Sequence, residues 1–139
     1  MQEELVLYPM FVLVGWVFLT TGIMLKRAFR AVGAGLDTEY FRYGSGAEPP
    51  GYMRSAYQHY SNLFEMPVLF YSAVLTSYVT GQTDRLLLWL AWAYVATRIL
   101  HGIVHVRNKS VARRRDSFLL SAAVLIAIWA LLLTRVASG

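Results

Sequence analysis

A chain of 139 residues that is 57% hydrophobic and 15% charged is not a soluble domain, where about 25% of residues carry charge. It has no cysteine, which excludes a disulfide framework, a thiol nucleophile and thiolate metal sites. Its net charge of +5 reads as juxtamembrane charge that meets anionic headgroups rather than as a nucleic-acid footprint, and no Gly-rich phosphate loop accompanies it.

Residues 5–25 form an uncharged run of 21 residues. At about 1.5 Å per residue it spans about 31 Å, one hydrocarbon core. Glu3 and Glu4 precede it in place of a basic stretch, and no A-x-A-like site follows, so it is expected to be a retained span and not a cleavable signal. A first basic segment, 26–54, carries Lys26, Arg27, Arg30, Arg42 and Arg54. Its glycines predict irregular backbone, and Pro49 and Pro50 suit the start of a second helix. The apolar stretch that follows, 66–80, has only 15 residues and is too short to cross alone. It predicts a helix over 55–80 that runs through His59, Asn62 and Glu65. A tight turn at 81–84 leads to a third helix over 86–106, which contains Arg98, His101 and His105. The segment 107–116 carries Arg107, Lys109, Arg113, Arg114 and Arg115, and an uncharged run gives a fourth helix over 117–134.

These elements predict an all-α fold: a single domain over 1–139, built as an integral membrane bundle of four transmembrane helices. By the positive-inside rule the two basic loops, 26–54 and 107–116, are cytoplasmic and both termini lie outside. Gly15 and Gly22 on the first helix, with Ser72 and Ala73 on the second, allow close helix contact and give a tendency to oligomerise.

Two spans carry polar groups. Arg54, Gln58, Asn62 and Glu65 fall within an arc of about 80° on the second helix, and Tyr94, Arg98, His101, His105 and Asn108 make an equally narrow stripe on the third. The short turn makes these helices antiparallel neighbours. Counted from it, Glu65 lies about 22 Å down, Arg98 about 20 Å and His101 about 24 Å. Glu65 is therefore expected opposite Arg98 or His101. His59 falls off the stripe and is expected to face a neighbour or the headgroups.

Ionisable groups at such depth are expected to be paired and functional. A structural Glu65–Arg98 pair that registers the hairpin is one reading. A polar site open to the cytoplasmic side is favoured, because more groups converge than one pair needs. A metal site is the third: His101 and His105 at i, i+4 with Glu65 could chelate a divalent ion, but no second carboxylate is at hand. No metal is expected, and a bis-histidine haem from His59 and His101 still less.

The stretch Asn62-Leu63-Phe64-Glu65-Met66-Pro67, the later Arg98-x-x-His101 and the basic run Arg113-Arg114-Arg115 before the last span resemble the MAPEG family (membrane-associated proteins in eicosanoid and glutathione metabolism). The resemblance covers almost the whole chain and implies a bacterial-type member, a homotrimer of the inner membrane. It also implies a glutathione cofactor, held in a cleft near the cytoplasmic face, with thiol transfer or peroxide reduction on a lipophilic substrate. Residue by residue, it implies Asn62 and Glu65 as glutathione contacts and Arg98 as a carboxylate or structural partner. His101 completes the motif, and His105 stands where the family often has tyrosine. Arg114 would be the catalytic group that stabilises a thiolate, while Lys26, Arg27 or Arg30 would reach the tripeptide's carboxylates. Two positions depart from the pattern: Gln58 stands where Arg is typical, and Phe118 where Tyr is common. They favour the alternative, a non-catalytic structural trimer or an accessory subunit in a complex with other membrane subunits.

Overall fold

The computed structural model describes residues 3–107 and 110–138. Asn108, at the end of the third helix's polar stripe, and Lys109, in the second basic loop, lie outside them. Among the described residues there is no strand. A 3-10 turn, Glu3–Val6, leads into α1, Leu7–Gly33, and a short α2, Glu39–Tyr43, lies in the first loop. Then come α3, Gly51–Asn62; α4, Met66–Val79; α5, Arg85–Arg107; and α6, Val111–Ser138. Three helical segments, Glu3–Gly33, Arg85–Arg107 and Val111–Ser138, are long and apolar enough to cross a membrane.

The helix expected over 55–80 is two helices. It breaks at 63–65, where Leu63 and Phe64 close only short i→i+3 bonds to Tyr60 and Ser61. Pro67 accounts for the break, since it has no N–H for the carbonyl four residues back and its ring clashes there. The chain restarts from Glu65, which caps α4 at φ −98° and ψ −91°. With 14 residues, α4 is about 21 Å long. A second crossing therefore needs α3 as well.

Two expected boundaries also move. α1 continues to Gly33 and α6 begins at Val111, so Lys26, Arg27, Arg30 and Arg113 to Arg115 are helical rather than loop residues. Hydropathy marks where the apolar core ends, not where the backbone leaves the helix, and long basic side chains reach polar surroundings from a continuing helix. Near that end of α1, Ala31, Leu36 and Met53 form a small buried cluster. Arg27 Nη1 donates to the Tyr52 carbonyl at 2.9 Å, which ties α1 to the start of α3.

The main core gathers Leu13, Phe70, Ala73, Leu87, Ala91, Tyr94, Leu125 and Ile128. Phe70 stacks on Tyr94 with ring centroids 4.5 Å apart. α5 packs chiefly on α6, and α1 lies against α3 and α5. The α4–α5 turn is possible because Gly81 adopts φ +66°. Asp84 then caps α5, its Oδ1 accepting the Leu87 N–H at 2.8 Å. Arg135 Nη2 donates to Oδ2 at 2.5 Å, and that bond holds the Asp84 carboxyl below the usual carboxylate range. Of the small residues expected on an outer face, Gly15 and Gly22 have open space beside them and Ser72 is exposed. Ala73 is fully buried in the core instead.

Candidate functional site

The helix break builds the site. Asn62 at the end of α3 and Glu65 in the turn face His101 and His105 of α5 and the first two turns of α6. Together with Val111, Arg114, Arg115 and Phe118 they line a cleft of about 310 Å³. Five of the residues expected at a site, Asn62, Glu65, His101, His105 and Arg114, are thus brought together in one chain. Arg30 is not. It lies in the last turn of α1 with its guanidinium 5.1 Å over the Tyr52 ring.

Arg98 lies beneath the cleft, 1% exposed. It does not pair with Glu65, which is exposed and has no ion pair among the described residues. Glu65 does share the cleft with His101, but the 100° step does not carry through a turn, and the expected Glu65–Arg98 pair is corrected. Arg98 Nη2 donates instead to the Asn62 carbonyl at 3.1 Å, and Nη1 to Ser121 Oγ at 3.4 Å. The broken helix leaves Asn62 without an N–H four residues on, so Arg98 caps the end of α3. One consequence is testable. Glu65→Ala should leave the melting temperature of the purified protein within about 0.5 kcal/mol of unchanged stability; a large loss would mean that Glu65 is paired after all.

His59 takes one of its two expected places, against neighbouring helices. It is 1% exposed and sits with the other two histidines of the chain. Its ring centroid is 5.4 Å from that of His105 and 6.2 Å from that of His101, and those two are 5.5 Å apart. Gly102 makes the room, because a Cβ there would meet His59 Nε2 at 2.8 Å and Trp16 at 2.8 Å. Ser117 Oγ donates to the Arg114 carbonyl at 3.0 Å, so its oxygen accepts from His101 Nδ1, also at 3.0 Å. That network assigns the His101 proton to Nδ1 and leaves the lone pair on Nε2. Neither nitrogen of His105 nor His101 Nε2 has a hydrogen-bond partner among the described residues, and all three atoms are buried. Among the described residues no group of three or more His, Asp or Glu side chains is arranged to hold a metal ion.

The three arginines before the last span separate. Arg114 lines the cleft; Arg115 lines it too but is paired with Asp116 at 2.9 Å; Arg113 faces a different groove, with Arg107. Gln58 is exposed and outside the cleft, and Phe118 packs its edge on His101 at 5.8 Å. Arg115 and His59 are the residues that helical counting missed. The small Gly102 beside His101, one helix away from His59, was the available signal.

A model of the MAPEG family matches residues 6–134, nearly the entire chain. The chain belongs to the MAPEG family. No curated protein and no solved structure matches it. With three apolar helices long enough to cross a bilayer, this MAPEG protein is an integral membrane protein. One turn along α6 from Phe118, the polar cleft of the MAPEG chain gives way to an apolar groove of about 440 Å³. Met66, Leu69, Ala122, Leu125, Ile126 and Trp129 line it, and the Trp129 indole N–H bridges to the Leu69 carbonyl at 3.2 Å.

Proposed function

We propose that the chain is a thiol-dependent membrane enzyme that binds glutathione in the polar cleft and joins it to a lipophilic electrophile from the bilayer. The observation that carries this reading is the succession along α4 and α6 of a cationic, histidine-lined cleft and an apolar groove. Asn62 and Glu65 are followed by Met66 and Leu69, and Phe118 by Ala122. A charged tripeptide fits the first compartment and a membrane-soluble partner the second, so the reacting atoms meet where the two join. Asn62 and Glu65 suit the peptide's amide and ammonium groups, and Arg115 a carboxylate. Arg114 would face the sulfur. A cation beside a thiol lowers its pKa and raises the fraction present as nucleophilic thiolate. The sulfur then forms the S–C bond as the carbon's bond to its leaving group, or the π bond of an activated alkene, breaks, and the thiol proton ends on the leaving group or on the product's carbon. We place the basic ends of the helices in the cytoplasm of a bacterial inner membrane and the protein in a homotrimer, with the open Gly15 and Gly22 face supporting close helix contact. Arg30 would then reach a cleft only across a subunit boundary.

The test is direct. Glutathione mixed with the purified protein at pH 7 should show thiolate absorbance far above the few per cent expected of a free thiol. Arg114→Ala should remove that signal. Arg113→Ala, which faces away from the cleft, should not. Thiolate that survives Arg114→Ala would remove the assigned role, and no thiolate with the unaltered protein would favour the alternative: a structural trimer or an accessory subunit. The exposed Gln58 and the apolar Phe118 in the cleft wall support that second reading, because each offers the ligand less than the arginine or tyrosine typical there.

A further inference from the structure

We propose that the groove between the C-terminal end of α5 and the start of α6 is a binding site for an anionic phospholipid, with Arg107 and Arg113 clamping its phosphate. The groove has a volume of about 230 Å³ and is lined by Leu100, Ile103, Val104, Arg107, Ser110 and Arg113. No acidic residue is among them. Most arginines near this end of the bundle are already engaged: Arg27 with the Tyr52 carbonyl, Arg30 over the Tyr52 ring, Arg54 with Glu48 and Arg115 with Asp116. The guanidinium groups of Arg107 and Arg113 have no hydrogen bond, ion pair or ring contact among the described residues, and both residues are exposed. Two unpaired guanidinium groups in one groove repel each other and match the paired oxygens of a phosphate diester. Ser110 adds a donor, since its Oγ accepts the Arg113 backbone N–H at 3.4 Å and its own proton remains free.

The depth selects a lipid over a free anion. α5 carries Arg85 at one end and Arg107 at the other, about 33 Å apart, so Arg107 sits at headgroup level above a hydrocarbon core of about 30 Å. Leu100, Ile103, Val104 and Arg107 share one helical face at i, i+3, i+4 and i+7. The apolar members run about 10 Å down from the arginine, and Leu100 and Ile103 are 49% and 39% exposed. Phosphate above and acyl chain below is the layout of a phospholipid, and basic grooves between helices are suited to such headgroups.

The experiment uses the full chain in an uncharged detergent. Phosphatidylglycerol should raise the melting temperature saturably, and phosphatidylcholine at the same ratio should not. The pair Arg107→Gln and Arg113→Gln should weaken phosphatidylglycerol binding roughly tenfold or more while leaving the lipid-free melting temperature in place, since neither side chain holds the fold together. The charge-matched pair Arg42→Gln and Arg54→Gln should leave binding intact. Equal loss in both pairs would reduce the effect to general attraction and overturn the site. An equal melting shift with millimolar inorganic phosphate, competed by the lipid, would overturn the lipid in favour of a free anion.

Discussion

Gly102→Val is expected to destabilise the protein by about 3 kcal/mol or more, read as a lower melting temperature in mild detergent. A Cβ at Gly102 would already lie 2.8 Å from His59 Nε2 and from Trp16, inside any contact a real Cβ makes. His59 cannot swing away, because it is enclosed by His101 and His105. Overpacking of this kind costs about 1–3 kcal/mol for a small increment, and valine adds two further methyl groups on a branched, stiff side chain. Gly102→Ala is the finer probe. In an open helix the change gains up to about 1 kcal/mol. At Gly102 the sign should reverse. Adding His59→Ala should recover part of the loss, a coupling of about 1 kcal/mol between touching groups. A stabilising Gly102→Ala would show that His59 is not packed there.

Arg98→Ala should cost about 3 kcal/mol or more, and Arg98→Met much less. Arg98 serves the end of α3 through the Asn62 carbonyl and α6 through Ser121. Alanine leaves a cavity of nearly a full arginine side chain, with a buried carbonyl that has lost its donor. Cavities of this kind cost about 2–5 kcal/mol, and the unsatisfied carbonyl adds about 1–3 kcal/mol. Methionine fills most of the space and removes a buried charge that has no carboxylate partner, so the larger desolvation penalty goes with the arginine. Only the Asn62 carbonyl is then left wanting. If methionine proves as costly as alanine, the guanidinium holds the turn by more than these two bonds.

Composition and run lengths were enough to read the membrane class and the three long apolar helices, because those properties are summed over many residues. Helical counting led to the cleft at His101 and His105, which sit on α5 with ideal spacing, whereas Arg114 was named by the family resemblance within a segment expected to be loop. The counting failed where the backbone changed course. Glu65 and Asn62 lie on either side of a proline-driven turn, so the angle counted through it brought the carboxylate to the cleft with His101 but wrongly into a pair with Arg98, while Asn62 stayed in place as the last residue of α3. The burial of His59 was beyond reach for a different reason. Its face lies off the polar stripe, and only a glycine on another helix, invisible to any pattern within α3, opens the room for it.

The interrupted segment also bears on how the protein enters a bilayer. α1, α5 and α6 are each long and apolar enough to partition on their own account, whereas α3 and α4 are not. α3 is polar on average, and the break exposes carbonyls that hydrocarbon cannot solvate. One of them is met by a guanidinium that travels in with α5, and that cation is itself costly in hydrocarbon without an oxygen to meet. Each of the two segments thus solvates the other's most expensive group, which couples the entry of the interrupted segment to that of α5.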